Sequence, residues 1–375
     1  MKTTIIFETS LKGHRYEYLY NLYKAASKNE EESYVFVLPY DYRLKEWDEF
    51  GGKNIELAII GVEQLKILNN RNLLISAFRK SNVLHSYVKK YHATHVFLIF
   101  LMLYMPFLLW VLPRGVNISG IVYRSFLWDD SQKKGLLRRC LEWVRYGLMA
   151  KSSQMEKVLL LNDSKSADVF NERFSTDKFA RLPDPYTHLG GKTENLKEKM
   201  RIAKSDNLFI QVGQLSGRKG TIEILDALDM LSNKEITHNH FYFAGKVADD
   251  IRESFYSKFD ELESKGLHIY VKDEFVSFEF LNSLCASCDC MLVPYKNTCQ
   301  SSGAIGYAAQ YGKPIIGPSK GLLGYLIKHY RLGFLIDNIC ANDIYTALLK
   351  FKRIAIPNNY VRDNQLDDFL KMCLS

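Results

Sequence analysis

Residues 208–220 read LFIQVGQLSGRKG, and the function turns on how this stretch folds. Leu208–Val212 is a short, largely apolar run that reads as a strand. A loop with three glycines follows, and the helical pattern begins near Thr221. Backbone N–H groups at a helix start form an anion site, and Arg218 and Lys219 add positive charge there. The arrangement suits a diphosphate. Its spacing is neither that of a P-loop nor a G-x-G-x-x-G after a first strand.

A second segment repeats the design. Pro294-Tyr295 ends a strand, Gln300-Ser301-Ser302-Gly303 follows, and a helix runs to Gly312-Lys313-Pro314. Ser301 and Ser302 are good helix caps, Gly303 lets a ligand approach the backbone, and Gly312 suits the position just past a helix end. Two such helix starts in one sheet imply one nucleotide diphosphate held between them.

Outward from these segments, strands alternate with helices. Strands are expected at Leu208–Val212, His240–Ala244, His268–Val271, Met291–Pro294 and Pro314–Gly317. An earlier series is expected at Thr3–Glu8, Tyr34–Leu38, Leu57–Ile60, Val96–Phe100, Ile118–Tyr123 and Lys157–Leu161. Continuously apolar strands separated by helices indicate parallel sheets covered on both faces. Pro183, Pro185, Gly190 and Gly191 break the two series, and residues 186–200 are polar, as a linker would be. Two doubly wound sheets in tandem would put a cleft between them, with ligands beyond the carboxyl ends of the strands. The expected domains are 1–190, 191–355, and a C-terminal helix in 356–375 packing back toward the first.

The pattern VGxLxxxKG, helix, strand, AG, helix, PY, SSG, helix, GKP, strand, G resembles the donor-binding domain of GT-B glycosyltransferases. It looks most like the large retaining group that carries a Glu-x7-Glu motif. The likeness covers about residues 205–340; the first half matches in architecture. It implies an α/β protein of two Rossmann-like, doubly wound domains facing a cleft, with donor-binding residues at Gly213, Gln214, Arg218, Lys219, Tyr295, Ser301, Ser302, Gly303 and Tyr307. Lys219 matches the family lysine that contacts the diphosphate. Gln214 stands where the family usually places arginine, with Arg218 nearby. The two family glutamates fall on Cys299 and Tyr307. A Ser-Ser-Gly loop of this kind resembles other bacterial GT-B members.

In the first half, Gly13-His14 directly follows the first strand. In GT-B folds that loop faces the acceptor, which makes His14 a candidate catalytic base or sugar contact and Gly13 an acceptor-side residue. Arg124, after the strand Ile118–Tyr123, is acceptor-side by position. Asp129 and Asp130 follow it and read as a loop or cap. The architecture generally works without a metal, so none is expected, nor any cofactor beyond the nucleotide-diphosphate sugar as co-substrate. Cys285, Cys288 and Cys290 lack a second Cys or Cys/His pair at zinc spacing and read as reduced thiols.

The chain has 375 residues, 50 of them Lys or Arg and 42 Asp or Glu, for a net charge of +8. With 47% hydrophobic and 25% charged residues it is globular, which excludes disorder and a disulfide scaffold. Between Glu63 and Asp129 there is no acid, while eight bases occur. An anionic partner would explain this: a phosphate-bearing substrate or an acidic membrane surface. No nucleic-acid-binding module is recognisable. Val96–Leu112 is uncharged and apolar, but Pro106 interrupts it. A buried strand turning into an apolar helix is the preferred reading, beside a span or an interfacial helix. No export signal is visible.

The expected function is sugar transfer from a nucleotide diphosphate to a carbohydrate acceptor, lipid-linked, in surface or capsular polysaccharide synthesis. The expected place is the cytoplasm, at the inner face of the membrane. Two alternatives are a non-catalytic GT-B subunit stabilising a partner transferase, which the absent glutamates favour, and a sugar-nucleotide epimerase, which should carry cleft carboxylates.

Overall fold

A computed structural model describes residues 2–11, 14–40, 52–68, 70–129, 135–186 and 193–375, with the His14 side chain excepted. Two compact units result. One comprises Met1–Pro183 with Leu366–Ser375, the other Asp184–Gln365.

The first unit holds a seven-stranded sheet. Its strands are β1 (Thr3–Phe7), β2 (Ser33–Pro39), β3 (Ile55–Ile60), β4 (His95–Leu98), β5 (Asn117–Val122), β6 (Met155–Leu161) and β7 (Phe179–Leu182). They lie in the order β3-β2-β1-β4-β5-β6-β7, and every pairing is parallel. The second unit holds six: β8 (Asn207–Val212), β9 (Asn239–Ala244), β10 (His268–Lys272), β11 (Cys290–Leu292), β12 (Ile315–Pro318) and β13 (Gly333–Ile336). Their order is β10-β9-β8-β11-β12-β13, again all parallel. Each sheet reverses its direction of growth once, between β1 and β4 in the first unit and between β8 and β11 in the second. Such a reversal opens a crevice at the carboxyl ends of the two strands.

Burial explains the apolar strands. Ile5, Phe7, Val96 and Leu98 are buried on one face of the first sheet, and Ile6, Phe36 and Phe97 on the other. The β7 and β13 strands, absent from the expected set, are four residues each and end their sheets. Edge strands pair on one side only, so they need less apolar run than central ones.

Val96–Leu112 resolves into the end of β4, a single turn at Leu101–Leu103 and another at Leu108–Val111. The expected apolar helix is thus only a turn long. Val96, Leu98, Ile99, Leu101, Tyr104, Met105 and Leu108 are buried in the core. No helix among the described residues is long and apolar enough to cross a membrane.

The units divide at Pro183/Asp184; the expected 190/191 boundary lies outside the described residues. Asp184 belongs to the second unit because its backbone N–H donates to Asn364 Oδ1 at 2.9 Å. Residues 356–375 likewise divide. The helix Asn359–Asp363 buries Tyr360 in the second unit, while Leu366–Leu374 belongs to the first. There Phe369 and Cys373 enter the cluster around Leu19 and Leu22, with the Phe369 ring 4.8 Å from that of Tyr18.

Candidate functional site

In the second unit the chain leaves β8 through Gly213, whose φ is +81°. A β-carbon there would lie 2.7 Å from Lys219 Nζ. Glycine is used because the turn needs positive φ and the lysine needs the space. Gly213 N–H donates to the Ala244 carbonyl at 2.9 Å, which ties the β8 and β9 exits together.

Residues Gly217–Lys219 make one 3₁₀ turn, and the helix Thr221–Asp229 follows. Gly220 joins them at φ +70°, where a β-carbon would lie 2.2 Å from the Pro294 carbonyl oxygen. This close approach docks the β8 loop on the β11 loop. Lys296 N–H donates to the Arg218 carbonyl at 3.0 Å, and Lys296 Nζ pairs with Glu223 at 2.6 Å.

Lys219 is thereby folded back over the sheet's reversal. Its Nζ donates to the Val212 carbonyl at 3.1 Å and lies 5.2 Å from the centre of the buried Tyr295 ring. Gln214 and Arg218 are exposed beside it. The structure therefore brings Gly213, Lys219 and Tyr295 together at the carboxyl edge of β8 and β11.

After β11, Ser302 caps the helix Gly303–Gln310 and accepts from Ala304 N–H at 3.3 Å. Ser301, Gly303 and Tyr307 are half-buried on that loop and helix. Ser301–Gly303 thus open the helix that follows the strand carrying Tyr295.

Sequence reasoning missed Gln211. It is buried in β8, and its Nε2 donates to the Lys219 carbonyl at 3.0 Å, fixing the 3₁₀ turn; its Oε1 is buried without a partner among the described residues.

In the first unit, Gly13 and the His14 side chain lie outside the described residues; His14 opens the helix His14–Ala26. Arg124 follows β5 and pairs through Nε and Nη2 with Asp129. Asp130 lies outside the described residues.

Glu8, also missed, is buried at the exit of β1, beside the reversal to β4. Its Oε1 accepts from Thr9 N–H at 2.7 Å, Ser10 N–H at 3.0 Å and Arg15 Nη1 at 3.3 Å. Burial pushes its carboxyl above the ordinary value, and Arg15 and the two amides oppose this.

Cys285, Cys288 and Cys290 are free and buried, and burial pushes the Cys288 thiol up to about 12. Such a thiol stays protonated at neutral pH. Among the described residues no group of three or more His, Cys, Asp or Glu is placed to hold a metal ion.

No family model and no curated protein matches the chain. Solved structures do match along its whole length. HepE from Anabaena, in complex with UDP and glucose, is 13% identical with a TM-score of 0.66, over 100% of this chain and 98% of that one. WaaG, a glycosyltransferase involved in lipopolysaccharide biosynthesis, is 15% identical with a TM-score of 0.61, over 99% and 93%. A UDP-forming α,α-trehalose-phosphate synthase from Burkholderia vietnamiensis is 10% identical with a TM-score of 0.69, over 100% and 99%. At these identities the likeness is one of fold. With its seven- and six-stranded parallel sheets, each reversing once, the chain has the GT-B fold of these glycosyltransferases.

Proposed function

We propose that the chain is a metal-independent glycosyltransferase of hexosyltransferase type. It would move a sugar from a nucleotide-diphosphate donor to a carbohydrate acceptor, lipid-linked, in surface or capsular polysaccharide synthesis at the inner face of the cell membrane. The observation that carries this reading is Lys219, held over Tyr295 at the reversal of the second sheet. Breaking the donor's C–O bond leaves negative charge on the diphosphate. Lys219 and Arg218 meet that charge, and the start of the Gly303–Gln310 helix adds its dipole. Gly213, Gln214, Tyr295, Ser301, Ser302, Gly303 and Tyr307 line the donor's place in this reading. His14 acts as base or sugar contact, and Gly13 and Arg124 stand on the acceptor side.

HepE is described with UDP and with UDP-glucose, so uridine nucleotides are the first donors to test. A thermal-shift panel of nucleotide sugars, followed by turnover assays on those that raise the melting temperature, tests the reading. No shift with any nucleotide sugar would sink it. Cys299 and Tyr307, at the places of the two family glutamates, favour a second reading as a non-catalytic partner subunit. A donor that binds but is neither transferred nor hydrolysed would favour that one.

A further inference from the structure

The first unit carries a groove of about 650 Å³ between the helices Leu73–Lys90 and Leu136–Lys151. That volume is typical of small-molecule pockets. Leu74, Ala77, Leu103, Leu141 and Val144 make its walls aliphatic. Leu73 and Leu74 stand 78% and 60% exposed at the start of one helix, and Leu136 and Leu137 stand 79% and 76% exposed at the start of the other. Exposed apolar side chains at the groove's lining helices suit a docking site.

Lys80 also lines the groove. It lies two helical turns beyond Leu73, roughly 10 Å along the axis. It is only 6% exposed, and among the described residues its ammonium makes no hydrogen bond or ion pair. Burial pulls its pKa down, and the opposing influence of Glu8 acts only through space. A cation set in an aliphatic wall is a site for an anionic group. Arg138, on the opposite wall, is exposed, and Arg145 is spent on the Met102 and Met105 carbonyls. Among the described residues the one acid lining the groove is Glu142, 3.9 Å from Arg145.

We propose that this groove holds the hydrocarbon chain of a lipid phosphate, the anchor of the acceptor, with the phosphate at Lys80. The proposal rests on the transferase reading with its lipid-linked acceptor. A soluble sugar would leave the leucines in water, and a neutral lipid would leave Lys80 unpaired; an amphiphile with one anionic end satisfies both. Lys80 is also within electrostatic reach of Glu8 and Arg15, at the carboxyl edge of β1. A sugar carried on that phosphate therefore starts at the ligand-binding edge of the first sheet.

The test is calorimetric titration of the whole protein with decyl phosphate below its micelle concentration, beside decyl maltoside and inorganic phosphate. Saturable one-to-one binding is expected, about ten-fold or more tighter than either control, as for a charge-assisted hydrogen bond. Lys80→Met and Leu141→Asp should each weaken it about ten-fold; Leu141 is exposed, so its variant tests the groove even if the Lys80 variant folds poorly. Equal affinity for decyl maltoside, or unchanged binding in both variants, overturns the proposal. So does binding to phosphatidylglycerol vesicles without binding to decyl phosphate, which would make this face a bilayer-docking surface. UDP is titrated in parallel. UDP binding without decyl phosphate binding removes the groove and leaves the transferase reading. Decyl phosphate binding without UDP binding upholds the groove and counts against the donor site instead.

Discussion

The Lys219 ammonium lies 5.2 Å from the centre of the Tyr295 ring while donating to the Val212 carbonyl at 3.1 Å. The two residues are far apart in sequence and belong to loops leaving adjacent strands. Their meeting reflects the β8–β11 pairing and the approach of Gly220 to Pro294. A cation within about 6 Å of a ring centre is attracted to its face. The charge is thus oriented before any ligand arrives.

The first prediction follows from that orientation. Lys219→Ala should weaken nucleoside-diphosphate binding by ~1.5–3 kcal/mol, the range for a hydrogen bond to a charged group. Tyr295→Leu should cost less, about 0.5–2 kcal/mol, because the charge stays and only its ring support goes. Titration calorimetry with UDP checks both. Unchanged affinity in Lys219→Ala would remove the diphosphate assignment.

Gly213→Ala should disturb the same ammonium from the backbone side. At φ +81° an alanine is strained by roughly 1–2 kcal/mol, and its β-carbon would stand 2.7 Å from Lys219 Nζ. Both stability and UDP affinity should fall. Because the alanine acts by displacing Lys219, the affinity losses of Gly213→Ala and Lys219→Ala should not add in the double variant. Additive losses would show that Gly213 matters for some other reason.

Why Gly213, Lys219, Gly220 and Tyr295 could be read in advance is physical. Glycines and charges at strand–helix junctions are local signals, and the junction itself sets where they point. Gln211 acts through a carbonyl eight residues away, so no local pattern marks it. Glu8 looked like the end of a strand; its burial depends on Arg15 and on β4, which is paired from a distance. Leu136 and Leu137 are apolar residues at the start of a helix, and periodicity cannot tell which face is left uncovered. The Leu366–Leu374 helix is amphipathic in sequence, but which unit's core receives Phe369 is decided only by packing.

Gly303→Val tests the second loop. Gly303 is the first residue of its helix, where a branched side chain would block a ligand's approach to the backbone. The variant should keep its melting temperature within a few degrees, a shift of roughly 1 kcal/mol or less, and lose donor turnover. Normal turnover would mean that Ser301–Gly303 are not at the diphosphate.

Acid stability should carry the mark of His95. The ring is buried in β4, with Nε2 3.1 Å from Ser119 Oγ and Nδ1 3.4 Å from Thr4 Oγ1. Burial, then Lys2 and Lys157, lowers its pKa from 6.5 to about 4; Glu156 at 3.7 Å does not offset this. Between those values the unfolded chain binds a proton that the folded chain refuses. Stability should therefore fall as pH drops from 6.5 toward 4 and level off below, by on the order of 3 kcal/mol from this group. Thermal melts of the protein and of His95→Gln over this range check it. An equally steep acid limb in the variant would show that other groups carry it.

The last prediction concerns the surface around Leu73 and Leu136. Arg71, Arg79, Arg138 and Arg139 occur on and beside the same two helices, and the acid-free stretch from Lys66 to Trp128 leaves few charges to oppose them. Each base near an anionic bilayer contributes ~1 kcal/mol, screened within a Debye length. The exposed leucines add an apolar contribution that salt does not screen, as in interfacial helices. The protein should therefore sediment with phosphatidylglycerol vesicles, not with neutral ones, and 1 M salt, roughly a 3 Å Debye length, should release only part of it. Leu136→Asp with Leu137→Asp should turn partial release into complete release. Indifference to every vesicle would assign the basic face to a soluble acceptor and end the membrane reading.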